Sequence, residues 1–127
     1  MYAFSTIVNY SYNEAIEKVT AALKEEGFGV LTEIDVAATM KKKLGIEKSP
    51  YIILGACNPT LANKAIDAEP NIGLLLPCNV VVRVDEKEQV VVAFMDPESV
   101  LSLVDMDGIQ PLASDVKSRL ERVKNAL

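Results

Sequence analysis

Residues 50–84, PYIILGACNPTLANKAIDAEPNIGLLLPCNVVVRV, constrain this chain more than any other stretch, because they hold two apolar runs and both cysteines. Each cysteine is followed by asparagine, as Cys57-Asn58 and Cys78-Asn79. Residues 51–56 and 80–82 are apolar at consecutive positions, not at alternate ones. Successive side chains of a strand point to opposite faces, so such runs need cover on both faces of a sheet. Helices of the same chain can supply one cover. A second copy of the chain is the economical source of the other, so a homodimer is expected.

Composition narrows the chemistry. At 127 residues the chain is expected to form one domain, 1–127, burying roughly two-thirds of its unfolded surface. A net charge of −5 repels a phosphate backbone unless the cations cluster, which argues against nucleic-acid binding. No apolar run approaches the roughly 18 residues of a transmembrane span. The first residues, Met1-Tyr2-Ala3-Phe4-Ser5, lack the pattern of a signal peptide. A cytoplasmic protein with no membrane contact is therefore expected. There is no histidine, which removes Ser-His and Cys-His catalysis within one chain. A closed zinc site would need carboxylates or a second subunit, and no metal is expected. In a reducing cytosol a structural disulfide between the two cysteines is disfavoured.

Taken in order, Ala3–Val8 reads as a first strand. Ser11 and Glu14 form a capping-box pattern ahead of a helix burying Ala15, Val19, Ala22 and Leu23 and ending at Gly27. Residues 28–34 read as a second strand. Asp35 then caps a short helix with Val36, Met40 and Leu44 on one face and Lys41, Lys42 and Lys43 on the other, closed by Gly45. Those lysines read either as a solvated face or as an anion or contact patch. Residues 51–57 form an interior strand. Asn58-Pro59 places a cap and a first-turn proline ahead of a helix over 59–67. Residues 72–77, broken by Gly73 and Pro77, read as a buried loop or irregular edge segment. Strands at Cys78–Val84 and Val90–Met95 make a hairpin around Asp85-Glu86-Lys87-Glu88. Asp96-Pro97 repeats the cap-plus-proline device for a helix through Val104. A last helix, starting near Pro111, carries Leu112, Val116, Leu120, Val123 and Leu127 on one stripe. Hairpins interleaved with helices predict an α+β fold, an antiparallel sheet of about five strands with helices mainly on one face.

The residues ILGACNP at 53–59, then Ala62, Ala65, Glu69-Pro70 and IGLLLPCNVVV at 72–82, resemble the signature of the domain-of-unknown-function 302 family. Residues 32–36, TEIDV, and Asp96-Pro97 fit its pattern as well, so the likeness covers nearly the whole chain. The resemblance implies a small α+β domain related to the TATA-box-binding-protein-like folds, with dimers common. It implies no assigned activity.

The candidate site residues are Cys57, Asn58, Glu69, Cys78 and Asn79. Cys57 stands between a strand end and a helix start, where backbone amides favour a thiolate. Both cysteines equally suit small buried hydrophobes. Asn58 is explained by its cap, whereas no helix follows Asn79. Glu69 reads as a loop residue in water, or as a proton acceptor if it folds beside Cys57. Glu33 and Asp35 share a strand face, with Asp35 a helix cap or, with a cysteine, part of a metal site of no familiar spacing. Asp96 is simplest as a cap. No catalytic residue or cofactor is assigned. Two functions survive. One is a dimeric domain binding a small ligand or a protein partner near the Cys-Asn segments. The other is sulfur transfer or redox exchange through Cys57 and Cys78, against which the missing C-x-x-C spacing counts.

Overall fold

The computed structural model describes residues 1–127. Five strands, β1 (Ala3–Val8), β2 (Gly29–Asp35), β3 (Tyr51–Cys57), β4 (Cys78–Val84) and β5 (Val90–Met95), pair antiparallel in the order β1-β5-β4-β3-β2. The β4–β5 hairpin closes tightly because the Asp85 carboxylate accepts from the amides of Lys87 and Gln89, at 2.9 and 2.8 Å. β4 is therefore the middle strand, and β1 and β2 are the edges.

Register sorts the side chains into two faces. Leu54, Val80 and Phe94 form one cross-strand row, and Ile52, Val82 and Val92 form the next. Phe4 stacks on Phe94 with ring centroids 5.3 Å apart. This face is covered by α1 (Tyr12–Glu25) and α5 (Ile109–Asn125). Ala15, Val19 and Leu23 of α1 and Val116, Leu120 and Val123 of α5 recur every three or four positions, the spacing of a single helix stripe, and join the strand residues in one core. Arg119 donates to the Glu26 carbonyl at 3.0 Å, and Arg122 pairs with the Glu26 carboxylate at 2.9 Å, so α5 also holds the C-terminal end of α1. A smaller cluster joins Ala65 of α3 (Pro59–Ala68), Ile72, Leu101 of α4 (Pro97–Leu101), and Ile109 and Ala113 of α5.

The opposite face carries no helix. Ser5, Ile7, Tyr51, Ile53, Asn79, Val81, Arg83, Val91, Ala93 and Met95 alternate with the core residues and project there. Gly55 lies on it too, where a methyl group would collide with the Thr32 side chain and touch the Pro77 ring. The sheet is thus apolar on both sides, as the consecutive apolar runs require, but its own helices cover only one.

The caps form as their residues predict. The side chains of Asp35, Asn58 and Asp96 accept from the amides of Ala38, Leu61 and Glu98 at 2.9, 3.2 and 2.9 Å. Elsewhere the structure departs from expectation. The Ser11 hydroxyl accepts from the Glu14 amide at 3.2 Å, but the Glu14 carboxylate meets that hydroxyl instead of the Ser11 amide, so only half a capping box forms. The helix α2 (Val36–Leu44) buries none of its residues, and Leu44 is 66% exposed, because the helix lies beyond the end of the core. Residues Pro70–Leu75 form a 3-10 turn where the sequence suggests a buried loop or irregular edge segment over 72–77, and Ile72 is its one buried residue. α4 ends at Leu101, short of Val104. α5 begins two residues before Pro111, so its fully buried stripe starts at Ile109 and Ala113 while Leu112 and Leu127 are only partly covered.

Asp96 is the one buried charged residue, 8% exposed. Burial by itself pushes its carboxyl up. The hydrogen bond and charge of Lys117, 3.0 Å away, with the amides of Ser99 and Glu98, outweigh that and hold it below the ordinary carboxylate range. A depressed folded-state pKa gives stability that is present above the unfolded value and lost as the pH falls through the folded one. Asp96→Ala should cost about 1–2 kcal/mol at pH 7 through the lost cap. Asp96→Asn, which keeps a capping oxygen, should cost less, and its penalty should shrink as the pH falls below about 4. Urea denaturation across that range checks this, and a penalty independent of pH would remove Lys117 from the account.

Candidate functional site

The two Cys-Asn segments meet because β3 and β4 are neighbours, with Ala56 opposite Cys78. The Cys78 side chain enters the core and is 7% exposed, while Cys57 is half-buried at the end of β3. Both thiols are free, and both line a void between the sheet end and the helices α3 and α5, beside Phe28, Leu76, Leu112 and Val116. Eleven of its thirteen lining residues are hydrophobic, and its volume is about 30 Å³. A void of that size and polarity holds about one water at most and is no chamber for a substrate.

The thiols are poorly placed for nucleophilic work. Burial pushes Cys57 above the ordinary thiol value, against the pull expected from the start of α3. Burial, with the nearby Cys57 charge adding to it, pushes Cys78 up to about 12. Such a thiol stays protonated at pH 7, the form that is a poor nucleophile.

The remaining expected residues separate. Asn58 lines the same void, but its side-chain oxygen caps α3 through the Leu61 amide, and its amide nitrogen lies where a side chain on Gly27 would sit. Gly27 takes φ +84°, so both its backbone and its neighbour call for glycine. Asn79 follows Cys78 on a strand and so points to the opposite, uncovered face. Glu69 accepts from the Asn71 amide at 2.9 Å and borders a different hollow, with Ile72, Leu74, Leu103 and Met106. It is not brought beside the thiols. Glu33 and Asp35 share the core-side face of β2, opposite Leu54 and Ile52, with Asp35 serving as the cap of α2. No cluster of three cysteine or carboxylate side chains is placed to hold a metal ion. Lys42 and Lys43 face solvent, and Lys41 pairs with Glu47 at 3.2 Å.

A second hollow lies on the uncovered face. It has a volume of about 420 Å³ and is lined by Tyr51, Asn79, Val81, Arg83, Ala93 and Met95 together with Phe94 and the N-terminal residues Met1, Tyr2, Ala3, Phe4 and Ser5. Val81 and Ala93 face each other across β4 and β5 and form a floor of small side chains. Tyr51 lies opposite Arg83 at one end, and Asn79 stands two residues beyond Val81 at the other. Arg83 is the one charged residue that register places on this face, and like eight other cations of the chain it has no carboxylate within 4 Å. Sequence reasoning passed over Tyr51 and Arg83. The signal was the two-residue period of Asn79, Val81 and Arg83, which puts these three on one face.

Alkylation tests the placement of the thiols. In the native protein at pH 7, iodoacetamide should modify Cys57 slowly and leave Cys78 unmodified until denaturant is added, as read by mass spectrometry of peptides. Rapid native modification of Cys78 would contradict its burial.

Comparison with known proteins follows the same outline. No curated protein matches the sequence. The chain is similar to a solved structure, the crystal structure of an uncharacterized conserved protein, DUF302, from Bacillus stearothermophilus. The two superpose with a TM-score of 0.92 at 28% sequence identity, over 99% of this chain and 98% of that one. The sequence model described as "Domain of unknown function DUF302" matches residues 4–127, a span that takes in all of the sheet but Ala3, every helix and both Cys-Asn segments, and the chain belongs to the DUF302 family.

Proposed function

We propose that this domain is a binding module that works as a homodimer, with the uncovered face of its sheet as the working surface. One observation carries the reading: that face is built from Ile53, Val81, Val91, Ala93 and Met95, and no helix of the same chain packs over it, so that of these five only Val91, 6% exposed, is buried. Ile7 and Ile34, on the edge strands, are 56% and 49% exposed. Apolar surface on this scale lowers its free energy by leaving water, and a second copy offers a matching surface through two-fold symmetry.

The dimensions fit. Five strands at ~4.8 Å spacing, each rising ~3.3 Å per residue, give a face of roughly 500 Å² in projection. Two such faces together bury about 1,000 Å², the lower bound for a specific interface. Sheets packed face to face lie ~10 Å apart with interdigitated side chains. Over the small floor at Val81 and Ala93, that spacing leaves the hollow as an enclosed chamber between the copies.

Thiol chemistry has less support. It needs a thiolate, a base and room for a co-substrate. Both thiols are instead shifted upward, Glu69 lies apart from them, and the void beside them is about 30 Å³. Cys57 and Cys78 act in this reading as packing residues that seat β3 against β4 below the working face.

Sedimentation velocity at micromolar concentration tests the dimer. The native protein should sediment as a dimer. Val81→Lys should weaken association by at least ~100-fold, because it places an unpaired cation at the centre of the interface. Lysine is the sharper choice, since a carboxylate there could pair with Arg83. A native protein that remains monomeric, or a Val81→Lys variant that still dimerises with native affinity, would rule this interface out.

A further inference from the structure

We infer that the hollow on the uncovered face holds a small amphipathic anion, a carboxylate with an apolar tail, anchored by Arg83. The inference rests on the reading of that face as the working surface and names the class of molecule it takes.

Charge makes the first part of the case. Among the residues that register puts on this face, Arg83 alone is charged. It is half-buried, at the end of the middle strand, and lies among Tyr51, Val81 and Val91. Four other cations of the chain have carboxylates within 4 Å, at distances of 2.9 to 3.2 Å. Arg83 has none, a state it shares with eight other cations of the chain; what sets it apart is its place as the single charge on an otherwise uncharged, largely apolar face. A guanidinium partly withdrawn from water presents two parallel N–H groups that match a carboxylate, and leaving it unmatched is costly. A second copy does not supply the match. An isologous partner brings another Arg83 and no carboxylate, so the closed dimer gathers positive charge around the hollow. An anion is the missing complement.

Shape makes the second part. The hollow measures about 420 Å³, inside the range of small-molecule sites. Its floor is apolar, and the distance along β4 from Arg83 to Asn79 is roughly 13 Å at the usual strand rise. The Tyr51 hydroxyl stands near the Arg83 end and the Asn79 amide at the far end, and neither is engaged in a hydrogen bond within the protein that would remove it from ligand contact. A head group at Arg83 and Tyr51 with a tail across Val81 and Ala93 towards Met95 uses each of these features. An inorganic anion would leave the floor bare, and a neutral chain would leave Arg83 unmatched.

Isothermal titration with sodium decanoate, and with 1-decanol as the uncharged chain of equal length, tests this on the full-length protein. Arg83→Met serves as the variant, because it keeps an apolar stem on the strand. Decanoate should saturate the native protein, and both the Arg83→Met change and the use of decanol should weaken binding roughly 10- to 100-fold. Decanoate should also tighten the dimer in sedimentation. Equal binding of decanoate and decanol, or unchanged decanoate affinity in Arg83→Met, would overturn the anionic class. A native dimer that takes up no decanoate overturns this inference while the homodimer stands. A monomer that binds decanoate through Arg83 supports this inference and removes the homodimer, and a monomer that does not bind it removes both.

Discussion

Packing of α1 and α5 against one side of the sheet is the contact on which the rest of the molecule depends. Val19 and Leu23 from one helix and Leu120 and Val123 from the other meet Leu54, Val80, Val82, Val92 and Phe94, all of them almost completely buried. Each fully buried aliphatic side chain of this kind contributes about 1.5–3 kcal/mol, and together they outweigh the other interactions in the fold. Because two helices are placed there, none remains for the other side. α2 packs beyond the sheet end and buries nothing, while α3, the 3-10 turn and α4 assemble into the smaller cluster around Ile72 and Ile109. The single-sided core therefore determines where an unsatisfied surface must lie.

That surface differs from the core face in kind. The core face is aliphatic and aromatic throughout its middle rows, whereas the open face mixes Ile53, Val81 and Ala93 with Asn79, Arg83 and Tyr51. A face intended only for water would carry more charge than one arginine, and one intended only for dry packing would carry none. On the proposed reading, the apolar residues are the part a partner would cover and the polar ones the part a ligand would touch. The thiols contribute from below. Cys78 is the core-side neighbour of Asn79 on β4, so the residue that packs the floor and the residue that borders the hollow are joined by one peptide bond.

Much of the fold was legible because it rests on local chemistry. Asp35, Asn58 and Asp96 mark helix starts through their own side-chain hydrogen bonds, and the charged turn at Asp85 marks the hairpin. The consecutive apolar positions of 51–56 and 80–82 announced a sheet that is apolar on both faces. The site was harder to read, for a physical reason. Cys57-Asn58 and Cys78-Asn79 look like two copies of one device, yet the first pair ends a strand and opens a helix, while the second opens a strand. On a strand, neighbours in sequence are opposed in space, so Cys78 and Asn79 serve different faces. Glu69 was separated from both by the 3-10 turn, whose geometry residues such as Gly73 and Pro77 did not reveal. Arg83 went unnoticed because a single arginine at a strand end carries no motif. Its meaning comes from its place as the one charged residue on the open face, which only the strand register reveals.

Hydroxyl-radical footprinting at two protein concentrations addresses the central claim most directly, because it reads the open face residue by residue. Met95 and Tyr51 lie on that face, and Met106 lies at the far cluster and is 40% exposed, which makes it an internal reference. Raising the concentration from nanomolar to tens of micromolar should slow oxidation of Met95 and Tyr51 several-fold and leave Met106 unchanged. Equal rates at both concentrations for all three would show that the face stays open to water, contradicting the proposal that a second copy closes it.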